Sequence, residues 1–248
     1  TEEFTRYMAN GSSTNISYNN IHALLLDDHR LWIGTFSQGI DVMDLKTRSI
    51  VRNYQYNMND SNSIPHNYVY SLYKNRYGEI FVGTMRGLCQ FLPEINKFHR
   101  FEELRDVFVY DMLEDSAGTL WIATKEGGIW RYDRKTGKFR NYKHSASDAG
   151  SLSDNRVIRV YIDRIGQLWF CTEGGGISRY DYDSDSFVNY NYQKKLYSHV
   201  IYGILDDKDG NLWLSSNHGI IKYNPLTEES KLYTHEDGLQ SNLFNFRS

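Results

Sequence analysis

Apolar residues along this chain fall into short runs broken by Gly, Asp, Asn and Ser, and no segment sustains the 3.6-residue apolar spacing of an amphipathic helix. The pattern is clearest at residues 118–142, GTLWIATKEGGIWRYDRKTGKFRNY. Aromatic and β-branched residues there suit a pleated, half-buried surface. The pairs Gly127-Gly128 and Thr136-Gly137 supply the turns. The pattern predicts three strands, at 120–124, 129–133 and 139–142.

The same meander recurs. Aligned on the central aromatic, five copies stand at 31–35 (LWIGT), 80–84 (IFVGT), 120–124 (LWIAT), 168–172 (LWFCT) and 212–216 (LWLSS). The steps from Trp32 to Phe81, Trp121, Trp169 and Trp213 are 49, 40, 48 and 44 residues, near the period of four-stranded propeller blades. Each copy is preceded by an apolar strand, at 21–26, 68–73, 107–113, 157–162 and 200–205. Each is followed by a third strand, at 40–44, 88–92, 129–133, 177–181 and 220–224. A more polar fourth strand comes last, at 51–54, 98–101, 139–142, 187–190 and 231–234. The fold class is therefore all-β, a β-propeller of four-stranded antiparallel blades, with blades at about residues 20–56, 67–103, 106–144, 156–192 and 199–235.

The two ends are out of phase with whole blades. Residues 1–8, with Phe4-Thr5-Arg6-Tyr7, match the outer strand of a preceding blade. Residues 239–248, with Leu243-Phe244-Asn245-Phe246, match the inner strand of a following one. Either five blades close with the end strands as a clasp, or the chain is part of a larger ring, most simply seven-bladed. The second reading is preferred, because an open arc leaves two sheet edges unpaired. Long crossovers at 55–67 and 143–155 alternate with short ones at 102–106 and 191–199, all on the face where loops build a site.

Composition refines this picture. Twenty tyrosines explain why a chain that is 40% hydrophobic still has a negative mean hydropathy. A net charge of −3 gives no reason to expect nucleic acid or an anionic membrane as partner. No apolar run reaches the length of a membrane span, and TEEFTRYM has no signal-peptide core, so the chain is either cytosolic or an excised mature segment. Cys89 and Cys171 lie in different repeats without metal-ligand spacing and read as buried thiols.

Candidate chemistry lies on the loops. Asp207, Asp209 and Asn211 invite a calcium site, but the repeated Asp-x-x-Gly pattern at 115–118, 163–166 and 207–210 is explained by turn capping. No metal site and no cofactor is expected. Around the mouth of the central channel, Gln38, His66, Arg86, Lys125, Glu126, Arg156, Glu173, His199 and His218 are candidate ligand-binding residues. Beside Tyr68, Tyr197 and Tyr202 they can hold a sugar, its hydroxyls hydrogen-bonded and its C–H face laid on a ring. Glu126 and Glu173 are a conceivable glycosidase pair. With no G-x-S-x-G, no H-E-x-x-H and no helix after Gly174-Gly175-Gly176, no catalytic residue is assigned.

The repeat G-x-L-W-I-G/A-T-x-x-G-G-I-x-R-Y-D-x-x-T-G-x-F-x-x-Y at 118–142, with copies at 31–54 and 166–190, resembles the two-component regulator propeller repeat. The crossover SLSDNRV at 151–157 and DGLQSNLFN at 237–245 resemble that family's linker and last-blades signature. Phe81 in place of Trp, Gln90-Phe91-Leu92 in place of R-Y-D, and Ser215-Ser216 in place of G-T are departures. The resemblance implies a non-enzymatic, periplasmic sensor region of a hybrid two-component histidine kinase that recognises an oligosaccharide. It further implies homodimeric signalling and neighbouring propeller and β-sandwich domains in the same chain. A structural or dimerisation propeller, with the ligand bound elsewhere, is the alternative.

Overall fold

The computed structural model describes residues 4–12 and 14–245. The chain forms two compact units, residues 1–110 and 111–248. The first unit holds two antiparallel sheets. One runs β1 (Ile21–Asp27), β2 (Arg30–Thr35), β3 (Ile40–Asp44) and β4 (Ser49–Tyr54). The other runs β5 (Val69–Lys74), β6 (Ile80–Thr84), β7 (Gly87–Leu92) and β8 (Lys97–Arg100).

Three more sheets follow, each in the same order. They are β9 (Val109–Glu114) through β10 (Thr119–Thr124), β11 (Ile129–Asp133) and β12 (Lys138–Tyr142); β13 (Val157–Ile162) through β14 (Leu168–Thr172), β15 (Ile177–Asp181) and β16 (Ser186–Tyr190); and β17 (Ile201–Asp206) through β18 (Leu212–Ser216), β19 (Gly219–Asn224) and β20 (Glu229–Tyr233). The third sheet lies in the second unit apart from the first two residues of β9. These are five propeller blades, and the helical elements among the described residues are three short 3-10 turns.

The turns explain the repeat's glycines. In the second-to-third-strand turn, Gly39, Gly128, Gly176 and Gly219 have φ between +71° and +125°. A Cβ on Gly128 would lie 2.1 Å from the carbonyl oxygen of Tyr142, so the position excludes side chains for space as well as for backbone conformation.

One aromatic pairing recurs through the core, tilted by 48° in the fourth blade and stacked in the other four. The central aromatic of each second strand lies against the aromatic that ends the fourth or, in the second blade, directly follows it: Trp32 against Tyr54 at 5.7 Å, Phe81 against Phe101 at 6.3 Å, Trp121 against Tyr142 at 5.9 Å, Trp169 against Tyr190 at 5.5 Å and Trp213 against Tyr233 at 5.5 Å. Trp121 also meets Tyr180 of the next blade at 4.7 Å, so the same ring closes the seam between blades. Tyr142 then reaches across that seam to donate a 2.6 Å hydrogen bond to Asp185, which also accepts from Tyr180 and pairs with Arg140.

A second motif anchors the tryptophans from the opposite end of the blade. Asp115, Asp163 and Asp207 each accept an indole N–H, from Trp121 (2.8 Å), Trp169 (2.9 Å) and Trp213 (3.0 Å). The other carboxylate oxygen of each accepts two backbone N–H groups of the turn, such as those of Ile165 and Gln167. The second blade departs consistently. Phe81 has no N–H, and the turn residue is Asn75, whose amide donates instead to Glu79. In the first blade the turn is shortened, and Trp32 Nε1 is buried without a hydrogen-bond partner.

The two long crossovers share one hydrogen-bonding plan. Asn67 accepts from Tyr56 N at 2.7 Å and Asn155 from His144 N at 2.8 Å; Ser63 and Ser151 then tie the loops to themselves, and the loops add to the next outer strand through Phe98 N and Phe187 N. Residues 9–19 repeat the plan, with Ala9 N donating to Asn19 at 2.8 Å and Ile50 N to Thr14 O at 2.9 Å. The lone end strands expected within 1–8 and 239–248 are not strands among the described residues, since neither segment has a ladder partner; residues 1–3 and 246–248 lie outside the described ones.

Candidate functional site

In each blade the antiparallel order brings the start of the inner strand and the second-to-third-strand turn to the same end. Hydrogen bonds join them: Phe36 N to Asn20 O, Met85 N to Tyr68 O and Glu173 N to Arg156 O, each at 3.0 Å. The candidate residues sit on these paired loops.

In the first unit, His66 accepts the N–H of Tyr68 through Nδ1 at 3.0 Å and meets its ring edge-on at 4.7 Å. Burial first, and then the nearby Arg86 guanidinium, hold the His66 imidazole below its ordinary pKa, so it is neutral at pH 7. Gln38 accepts from Gln55 at 3.1 Å. Arg86 donates through Nε (2.8 Å) and Nη2 (2.7 Å) to Asp106.

In the second unit, Arg156 and Glu173 come together: Arg156 Nη2 donates to the Glu173 carbonyl at 3.2 Å, and the side chains approach to 3.9 Å, with Asp154 at 3.6 Å on the other side. Lys125 and Glu126 are exposed at the tip of their turn. His199 stacks edge-on against Tyr192 at 4.2 Å. His218 Nδ1 lies 2.7 Å from Asn217 Oδ1, which in turn accepts from Ser198. Glu173 is thus engaged by a guanidinium.

Sequence reasoning missed the most continuous feature of the first unit. Tyr68 stacks on Phe36 at 4.6 Å and 21° between planes; Phe36 meets His22 at 5.2 Å, His22 meets Tyr70 at 4.8 Å, and Tyr70 meets Phe108 at 4.4 Å. Phe108 continues to Tyr110 at 4.5 Å. All six rings are half-buried. The cause is a β-bulge: the inner-strand register shifts between Ile21 and Ala23 and between Val69 and Ser71, so that His22 and Tyr70 are the extra residues and turn away from the ladder. The same bulge holds Ile158 and Tyr202 in the second unit, where Arg156 and Glu173 stand at the positions of Tyr68 and Phe36. The first unit presents a strip of rings that runs from blade to blade, and the second an ion pair within one blade, where the same-blade equivalents of Arg156 and Glu173 are Tyr68 and Met85.

Both cysteines are buried and unpaired with each other, with burial pushing each thiol well above its ordinary pKa. Such thiols are packing groups rather than nucleophiles. Asp207 accepts N–H groups on both oxygens, so the turn-capping reading of Asp207, Asp209 and Asn211 accounts for it. No cluster of three or more His, Cys, Asp or Glu suited to a metal occurs among the described residues, and no helix among them is long and apolar enough to cross a membrane.

Comparison with known proteins adds an independent line. Residues 103–130, 151–174 and 198–218 match the family model described as Two component regulator propeller. Histidine kinase P4 of Formosa agariphila is 26% identical over 241 residues, a stretch covering 92% of this chain and 17% of that protein. Among solved structures, the extracellular domain of a hybrid two component system of B. thetaiotaomicron is similar with a TM-score of 0.78 at 22% identity, over 96% of this chain and 31% of that one. Virginiamycin B lyase of Staphylococcus aureus is similar with a TM-score of 0.64 at 17% identity, over 92% of this chain and 72% of that one. The two structural likenesses establish the propeller fold. The chain therefore spans about a sixth of the kinase and under a third of the extracellular domain it resembles.

Proposed function

We propose, from the premise that this chain carries repeats of the two component regulator propeller family, that it forms part of the extracytoplasmic, periplasmic sensor region of a hybrid two-component histidine kinase and recognises an oligosaccharide without transforming it. The single observation that carries the carbohydrate reading is the half-buried strip from Tyr68 through Phe36, His22, Tyr70 and Phe108. Sugar rings present an apolar C–H face that lies well on aromatic surfaces, and the neutral His66, edge-on to Tyr68, and Gln38, on the same turn as Phe36, can meet hydroxyls. No catalytic step is assigned, since Glu173 answers Arg156 rather than a second carboxylate.

The exposed apolar faces of the end blades fit the same architecture. Leu24 is 61% exposed, whereas its register equivalents Val160 and Ile204 lie in the clusters of Trp121 and Trp169. Leu205 is similarly exposed at 66%. These faces are seats for further blades, as a seven-bladed ring within a larger receptor requires, and the receptor signals as a homodimer beside further propeller and β-sandwich domains.

Titration calorimetry against a panel of plant and host oligosaccharides tests the reading. Saturable heat is expected from at least one glycan, and it should weaken at least tenfold in Phe36→Ala and Tyr70→Ala. Silence across the panel would leave this propeller a structural or dimerisation module.

A further inference from the structure

The first unit contains an open groove of about 500 Å³ on the second blade, bounded by the crossover that enters the blade and the one that leaves it. Its volume falls within the roughly 300–1,000 Å³ range of small-molecule sites. Pro65 and the fully buried Leu88 and Phe98 lie beneath it, and one wall is Tyr56, 41% exposed.

Two ion pairs form the rim. Arg86 is paired with Asp106 (2.7 Å), and Arg105 with Glu102 (2.6 Å). The side chains of all four are more than half exposed. A third guanidinium, Arg100, serves a different purpose. It donates to the carbonyls of Ser63 and Asp60 and to the Ser63 hydroxyl, and it lies 5.5 Å from the Tyr56 ring, so it locks the crossover and orients the wall.

The internal repeat shows that this is a local addition rather than a by-product of the fold. The fourth blade has the same long crossover, yet Ser153, Val188 and Asn189 occupy the register positions of Pro65, His99 and Arg100. The second blade is also the one that lacks both the central tryptophan and the R-Y-D segment.

We propose that this groove is a separate binding site for a short neutral saccharide of one or two residues. The proposal rests on the carbohydrate reading above and adds a second location to it. A guanidinium beside a carboxylate offers adjacent donors and acceptors, the pattern that a vicinal diol satisfies with both its hydroxyls. Two such pairs beside an exposed tyrosine ring meet the polar edge and the C–H face of a pyranose together. Exposed ion pairs contribute little to stability, so they can open to a ligand at small cost.

Titration of the wild-type chain with maltose, cellobiose and lactose, by calorimetry and by ligand-observed NMR, tests it. At least one disaccharide should bind, and Arg86→Ala and Asp106→Asn should each weaken it at least tenfold with an unchanged melting temperature. Arg105→Ala should act in the same direction, while Phe36→Ala leaves disaccharide binding unaltered. Disaccharide affinity untouched by Arg86→Ala and Asp106→Asn would overturn the groove. So would the absence of disaccharide binding in a chain that still binds longer glycans on the aromatic strip, an outcome that leaves the sensor reading intact. No binding of any glycan, short or long, would remove both.

Discussion

The bond between Trp169 and Asp163 offers a direct test of how the blades are anchored. The indole N–H donates to a carboxylate oxygen at 2.9 Å in a site where the tryptophan is fully buried and the aspartate nearly so. A hydrogen bond to a charged acceptor contributes roughly 1.5–3 kcal/mol, and leaving either partner orphaned costs a comparable amount. Trp169→Phe removes the donor and shrinks a filled site, which should cost about 2–4 kcal/mol. Asp163→Asn keeps the oxygen that caps the turn but can set an amide N–H against the indole N–H, at about 2–3 kcal/mol. The double variant reproduces the Asn75 and Phe81 pairing that the second blade already uses, where no indole needs an acceptor. It should therefore be about 1.5–2 kcal/mol more stable than the sum of the single changes predicts, a coupling within the range seen for contacting residues. Urea unfolding followed by far-UV circular dichroism, with slopes compared across all four proteins, measures this. Additivity to within about 0.5 kcal/mol would refute the anchoring argument.

Other expectations follow from the same geometry. Trp121→Ala opens a cavity beneath Tyr142 and Tyr180 and should cost about 3–5 kcal/mol, and an unchanged melting temperature would overturn the inside and outside assignment of the second strands. Asp207 is held well below the usual carboxylate range, first by the Trp213 N–H and then, against the opposing effect of burial, by Asn211. Its contribution is fully present above its unfolded pKa of about 3.9 and is lost as pH falls through the lower folded value, so the melting temperature should fall on acidification below about pH 4, and less so in Asp207→Asn. In Asp185, burial raises the pKa but hydrogen bonds from Tyr142 and Tyr180 outweigh it; Tyr142→Phe should then lower stability by about 1–2 kcal/mol, checked by differential scanning calorimetry, while no change would mean that the seam is held by ring packing alone.

Most of the framework was legible because a two-residue alternation and a repeated aromatic carry it. The expected bounds at 40–44, 80–84, 129–133, 157–162, 168–172, 177–181 and 212–216 coincide with β3, β6, β11, β13, β14, β15 and β18, and the other strands shift by one or two residues at their ends. The turn-capping role of Asp115, Asp163 and Asp207 was also legible. Their bond to the indole was not, although a signal existed: Asp stands six residues before Trp121, Trp169 and Trp213, and Asn stands six before Phe81. The aromatic strip was hidden for a different reason. Strict alternation assigns His22 and Tyr70 to a blade face, and a bulge, which adds one residue to one strand only, has no marker in a single sequence. Gln38, His66 and Arg86 fall on the turns and inner-strand starts read from the repeat, but their pairings with Gln55, Tyr68 and Asp106 depend on how the crossovers fold back.

The carbohydrate surface proposed for the loops and bulged inner strands can be seen directly. The most direct measurement is a crystal structure of the chain grown with the oligosaccharide that gives the strongest calorimetric signal. Sugar density is expected to lie flat against the rings of Phe36, Tyr68 and Tyr70. Density confined to surfaces away from both the strip and the groove, or a strip left bare at saturating glycan, would contradict it.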